Sequence, residues 1–179
     1  MSEGVVESLN HPGMNITGVD LMSGELTGKR LGLLSQLIPP DGVIAFLTNP
    51  KGIGSSLRAD DFKLAAAGIV REPLVVGAST DEEIERAFVR LVQVRAAGLV
   101  VENDPFFDTQ RERLIRLAAQ HSIPAIYHIR EFPVAGGLMS YGANLADAYN
   151  QMGVMRRRRF ITLVGGLAAW PLEARAQLA

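Results

Sequence analysis

The chain has 179 residues, 47% hydrophobic and 21% charged, with a net charge of −1 and no cysteine. Such a composition suits a globular domain with a sizeable core, and it excludes disulfides, thiolate metal sites and a cysteine nucleophile. Five arginines against one glutamate after residue 154 leave residues 1–154 at −5, a mildly acidic body that argues against a nucleic acid partner.

Glu3 and Glu7 stand where an export leader needs a basic block and an apolar run, so the chain as written is expected to remain cytoplasmic. Leu26, Leu31, Leu34 and Leu37 or Ile38 then recur with helical spacing, predicting a helix that stops at Pro39-Pro40. Val43 to Leu47 is a continuous apolar run, the pattern of a strand buried on both faces. Leu74-Val75-Val76, Gly98 to Val101 and Ala125-Ile126-Tyr127 repeat it. Between them, Ser79-Thr80-Asp81-Glu82 reads as a capping box, followed by Ile84, Phe88, Leu91 and Val92 on one helical face. Asp108 is expected to open a further helix with Leu114, Ile115, Leu117 and Ala118 inward. Strands alternating with amphipathic helices predict an α/β fold, a parallel sheet with helices on both faces.

Ligands of such sheets sit beyond the carboxyl ends of the strands. Three loops there carry polar and aromatic groups together, as a small amphipathic ligand requires: Thr48 to Gly52, Glu102 to Phe107, and His128 to Phe132. Enzymatic patterns are weaker. Lys51-Gly52-Ile53-Gly54-Ser55-Ser56 follows a strand and precedes a helix like a dinucleotide loop, but Leu57 stands in the third glycine position, and Glu72 precedes the second strand where the acidic residue should end it. His11, His121 and His128 lack metal-ligand spacing. No Gly-x-Ser-x-Gly elbow occurs, and Asp60-Asp61 and Glu82-Glu83 are adjacent carboxylates that suit solvated helix starts. No catalytic residue, metal or cofactor is assigned.

Several motifs in register make a more specific case. Gly13 to Val19, Lys29-Arg30-Leu31, Asn49-Pro50, Asp104 to Phe107, Ile123 to Tyr127, Arg130-Glu131-Phe132 and Gly136 to Gly142 together resemble the substrate-binding proteins of bacterial ABC importers, in the group that includes tryptophan and tyrosine binders. The resemblance covers residues 2 to 154. It implies a Rossmann-like single lobe of a type I periplasmic-binding-protein fold, with the second lobe incomplete: residues 1–21 a remnant of lobe one and a crossing strand, 22–134 a complete lobe two, and 135–154 the return crossing and a helix of lobe one. It also implies a cleft lined by Asn49, Asn103, Asp104, Phe106, Phe107 and Glu131, with Gly137, Ser140 and Tyr141 at the hinge. Asp104 is suited to an amino group, Asn49 to a carboxylate and amine together, and Phe106 or Phe107 to an aromatic side chain. The implied partners are an aromatic or other amino acid, the membrane permease of an ABC importer, and a second copy of the chain through exposed interlobe surface. The family is normally periplasmic.

Residues 155–179 carry a basic block (Arg156 to Arg159), an apolar stretch from Phe160 to Trp170 and a small-x-small pattern at Ala174 to Ala176, the grammar of a twin-arginine export signal and similar to the leader of the same family. At the C-terminus this predicts a disordered tail, and a truncated, impaired paralogue joined to the start of a neighbouring copy. Two other readings stand beside it: a flavodoxin-like cytoplasmic enzyme that binds nucleotide or phosphate at Asn49 to Ser56, and a remnant with no ligand.

Overall fold

Five consecutive buried residues, Ile44–Thr48, form β1, an interior strand of a parallel sheet. The computed structural model describes residues 26–69 and 73–142, all within one compact unit, Met22–Asn144. The expectations for the first crossing, Glu72, the final helix and the basic tail lie outside the described residues.

The elements in chain order are α1 (Leu26–Ser35), β1, α2 (Ser55–Ala66), β2 (Leu74–Gly77), α3 (Asp81–Gln93), β3 (Gly98–Val101), α4 (Pro105–Thr109), α5 (Arg111–Gln120), β4 (Ala125–Tyr127), α6 (Glu131–Val134) and β5 (Met139–Ser140). The sheet order is β2-β1-β3-β4-β5 with every pair parallel. Alternate strand residues face opposite layers. Ile44, Phe46, Val100 and Ile126 meet Leu31 and Leu34 of α1 and Phe62 of α2, and the Phe46 and Phe62 rings stack at 4.9 Å. α3 and α5 pack together in the other layer and bury Ile84, Phe88, Leu91, Leu114 and Leu117.

The four strands expected from the apolar runs are all present, because a strand covered on both faces announces itself by unbroken hydrophobicity. Helix ends differ from expectation. α1 stops at Ser35, four residues before Pro39, with Ser35 Oγ turned back on the Gly32 carbonyl at 2.9 Å and Leu37 left exposed. The capping box of α3 is displaced by one residue: Thr80 Oγ1 accepts from Glu83 N at 3.3 Å, while the Glu83 carboxylate accepts from Ser79 N and Ser79 Oγ. Ser and Thr both serve as caps, so the sequence alone does not choose between the two registers. Val92 is 46% exposed and does not join Ile84, Phe88 and Leu91. Asp104, with Pro105 behind it, opens α4; Asp108 lies inside that helix, and α5 begins separately at Arg111. Ile115 is only half-buried.

Candidate functional site

The chain passes from β1 to β2 on one side and then returns past β1 to β3 on the other. The crossovers therefore diverge between β1 and β3, leaving a crevice at the carboxyl ends of those two strands, where ligands of open α/β sheets bind. Thr48 ends β1 and Asn49 follows it, and Glu102 follows β3.

Glu102 forms the floor. It is 1% exposed, and its Oε2 accepts from Thr48 Oγ1 and from Asn49 N, each at 2.7 Å. Arg58 of α2 donates its Nε to Oε1 of the same carboxylate. A buried carboxylate is tolerable only when charge-paired and hydrogen-bonded in this way. Above it, Asn49 Nδ2 donates to Asp104 Oδ1 at 3.0 Å, Phe106 N donates to the same oxygen at 2.9 Å, and Lys51 N donates to Asn49 Oδ1 at 3.1 Å. One carboxylate thus caps α4 and fixes the β1 loop. Gly52 lies directly against it, since a Cβ at that position would meet Asp104 Oδ2 at 2.5 Å.

Of the residues expected in the cleft, the structure joins Asn49, Asp104 and the backbone of Phe106 in one network. Asn49 and Asp104 are themselves buried, Asn103 and Phe106 are half-buried, and Phe107 is wholly buried, its ring 5.4 Å from that of Phe106. Phe107 therefore supports Phe106 from the core and presents no face of its own. Glu131 is half-buried at the start of α6, after β4, and no hydrogen bond connects it to the Asn49–Asp104 pair. Among the expected hinge residues, Ser140 belongs to β5, Tyr141 N donates to Tyr127 O at 2.9 Å, and Gly137 packs against the Phe132 carbonyl.

Two sets of pairings were not legible in the sequence, although their loops were. Glu102 stands 54 positions from Thr48 and 44 from Arg58, and no spacing rule links residues so far apart. The second set surrounds Phe132: His128 Nε2 lies 2.9 Å from Asp108 Oδ1, and the Arg111 guanidinium sits 5.5 Å above the Phe132 ring. Among the described residues both His128 ring nitrogens, Asp108 Oδ1 and Arg111 Nε are buried without hydrogen-bond partners, so the His128–Asp108 approach is a close polar contact rather than a hydrogen bond.

The Asp104 carboxylate beside the Asn49 to Ser56 loop opposes a polyphosphate there, while Glu102 is already paired with Arg58. Among the described residues, no cluster of three metal-ligating side chains occurs, and no helix is long and apolar enough to cross a membrane. A cavity of about 380 Å³ lined by Pro50, Gly77, Glu83, Arg86 and Arg90 opens beside the carboxyl ends of β1 and β2. Another, of about 310 Å³ and lined by Ile115, Ser122, Pro124 and Leu138, lies at the opposite end of β4.

A five-stranded parallel sheet with this crevice is a single lobe of a periplasmic-binding-protein-like fold. The family model "ABC transporter substrate binding protein" matches residues 1–162, and the chain belongs to that family. Among solved structures it is similar to an ABC domain in complex with L-Trp from Streptococcus pneumonia, with a TM-score of 0.69 and 17% identity over 84% of this chain and 51% of that one. It is also similar to the ligand-free, open structure of a substrate binding protein with adhesive properties from Clostridium difficile, with a TM-score of 0.51 and 24% identity over 70% and 42%. At these identities the likeness is one of fold, and the chain spans about half the length of the two structures or less. Comparison with curated proteins finds no match.

Proposed function

We propose that the chain recognises an amino-acid-like solute, with an aromatic side chain preferred, as part of a binding protein that delivers solute to the membrane permease of an ABC importer. The observation that carries this reading is the Asn49–Asp104 network at the β1/β3 crevice, with half-buried Phe106 beside it. Asp104 Oδ2 and the Asn49 amide offer an acceptor and a donor for the charged end of an amino acid, and Phe106 offers a ring face for its side chain. Asn103 and Glu131 complete the polar rim, and Ser140 and Tyr141 belong to the return crossing. Family membership and a neighbour crystallised with L-Trp support the choice of solute. The chemistry is binding without catalysis, in the periplasmic setting usual for the family.

The described residues supply one wall of a cleft. A solute covered on one side gains less from burial while still losing its freedom of motion, so this wall by itself binds weakly. Pairing of two copies through exposed surface at the cleft is a way to cover the other side, and a mass measurement at high protein concentration tests it, a monomer throughout ruling it out.

Thermal unfolding with a panel of L-tryptophan, L-tyrosine, aliphatic amino acids, simple carboxylates and nucleotides tests the reading. A solute at 100 times its dissociation constant stabilises by about 2.7 kcal/mol, a shift of several degrees for a domain of this size. A shift with aromatic amino acids that disappears in Phe106→Ala supports it. A shift with nucleotides alone overturns it.

A further inference from the structure

Arg30 occupies the middle of α1, yet it is only 2% exposed. Burial pushes its guanidinium down to about 10 from the usual arginine value, so it remains a cation at neutral pH. Removing such a cation from water is costly unless hydrogen bonds repay the loss. Its Nε donates to the carbonyl oxygen of Tyr141 at 2.7 Å, a contact that spans 111 positions of chain.

Tyr141 belongs to a tightly seated segment. Its N–H donates to Tyr127 O at 2.9 Å, continuing the β4–β5 ladder. Gly142 follows with its Cα so close to the His128 carbonyl that any Cβ would collide with the oxygen. Before β5, a Cβ on Gly137 would meet the Phe132 carbonyl at 2.9 Å and the Tyr127 ring at 3.0 Å. The segment is therefore held at both ends by contacts that only glycine permits, and Arg30 of α1 holds it from the α1–α2 layer. The compact unit runs from Met22 to Asn144, so α1 lies just inside its entry and Tyr141 just inside its exit.

We propose that Arg30 is a positioning residue that ties the exit strand to the entry helix, so that the segment through Gly142 stays seated on the sheet. Because Gly142 rests on the His128 carbonyl, the same tie steadies the loop from His128 to Glu131. That last consequence rests on the solute-binding reading above.

Amide hydrogen exchange on the full chain tests the proposal in wild type, Arg30→Met and Arg30→Lys. The Tyr141 amide is the reporter, and the Leu99 and Glu102 amides, bonded to the Pro124 and Leu47 carbonyls, are the controls. Arg30→Met is expected to speed exchange at Tyr141 by roughly tenfold or more while the two controls keep their rates. Arg30→Lys, which keeps the charge but loses the planar fork, is expected to fall between wild type and Met. An unchanged Tyr141 rate, or equal acceleration at all three amides, overturns the proposal. Should the Met variant not fold, the Lys variant decides by the same comparison. A second arm measures L-tryptophan and L-tyrosine affinity well below the melting transition. Weaker binding in the variants supports the effect on the His128–Glu131 loop, and equal binding overturns that part. Absence of binding in wild type removes the solute reading and the loop effect with it, while the exchange rates still decide the tie.

Discussion

Asn49 donates its side-chain amide to Asp104 across 3.0 Å, linking the end of β1 to the cap of α4 over 55 positions of sequence. Asp104→Ala removes a helix cap, at about 1 kcal/mol, and leaves a buried amide donor unpaired, at about 1–3 kcal/mol. A loss of roughly 2–4 kcal/mol is expected in urea denaturation, with less for Asn49→Ala. The double variant is expected to fall short of the sum by about 0.5–3 kcal/mol, the range for residues in one network. Strict additivity would mean that the two side chains act separately.

Glu102 serves three donors at once, whereas Thr48 contributes only one hydrogen bond to it. Glu102→Gln leaves Arg58 without its counter-charge and places an amide among donors. Since Arg58 retains 21% side-chain exposure, the expected loss is near the lower end for a broken buried pair, about 3 kcal/mol. Thr48→Val is expected to cost about 1 kcal/mol. Chemical denaturation that reverses this order would move the centre of the network away from Glu102.

Two glycines are expected to respond in opposite directions to alanine. At Gly32, inside α1, a Cβ meets nothing within 4 Å, so Gly32→Ala raises stability by about 0.5–1 kcal/mol through helix propensity. At Gly52 the new carbon meets Asp104 Oδ2 at 2.5 Å and Asn49 O at 3.1 Å, so the loop must shift, at about 1–3 kcal/mol. Thermal melts of the two variants bracket the wild type if the Gly52 contact holds.

Acid sensitivity has an identifiable contributor in Glu83. The Ser79 backbone N–H first, then the Ser79 hydroxyl, hold its carboxyl below the usual glutamate range, with smaller help from Arg86 and Lys51. A carboxylate with a depressed folded-state pKa stabilises above its unfolded value, near 4.3, and that contribution disappears as pH falls through the folded value. Glu83→Gln is therefore expected to melt below wild type at pH 7, with the gap closing toward pH 3. A gap independent of pH would mean that shape, not charge, makes the cap.

Among the described residues, two non-glycine residues with positive φ follow helices and make a further test. Arg95 and Ser122 have φ of 53° and 54° after α3 and α5, where Ala96 N reaches Leu91 O and Ile123 N reaches Ala118 O, each at 2.9 Å. These are Schellman closures with a side chain in the usual glycine position. Ser122→Gly is expected to raise the melting temperature, by about 0.5–1 kcal/mol of relieved strain after the entropic cost of glycine. An unchanged or lower melting temperature would show that the serine conformation is not strained.

Apolar runs at Val43 to Leu47 and Gly98 to Val101 identified the buried strands because burial on both faces leaves no polar alternation to confuse them. β5 escaped notice because Met139–Ser140 is two residues long and half-buried, too short for any period. The displaced cap at Thr80 and the early stop of α1 were illegible for a different reason: adjacent residues could each have served, and tertiary contacts made the choice.

At the carboxyl ends of β1 and β3, the residue types and their places at strand ends were readable, but their engagement with one another was not. The sequence by itself determined the α/β class and the polar and aromatic loops after β1, β3 and β4, because local hydrophobicity and spacing encode both; the family came from the resemblance of whole motifs. Only the tertiary structure decided that Asp104 binds Asn49, that Glu102 and Arg58 meet beneath them, that Phe107 turns into the core and that Arg30 is buried against Tyr141. Each of those outcomes depends on residues brought together from distant positions by the strand order, and no local pattern carries that order.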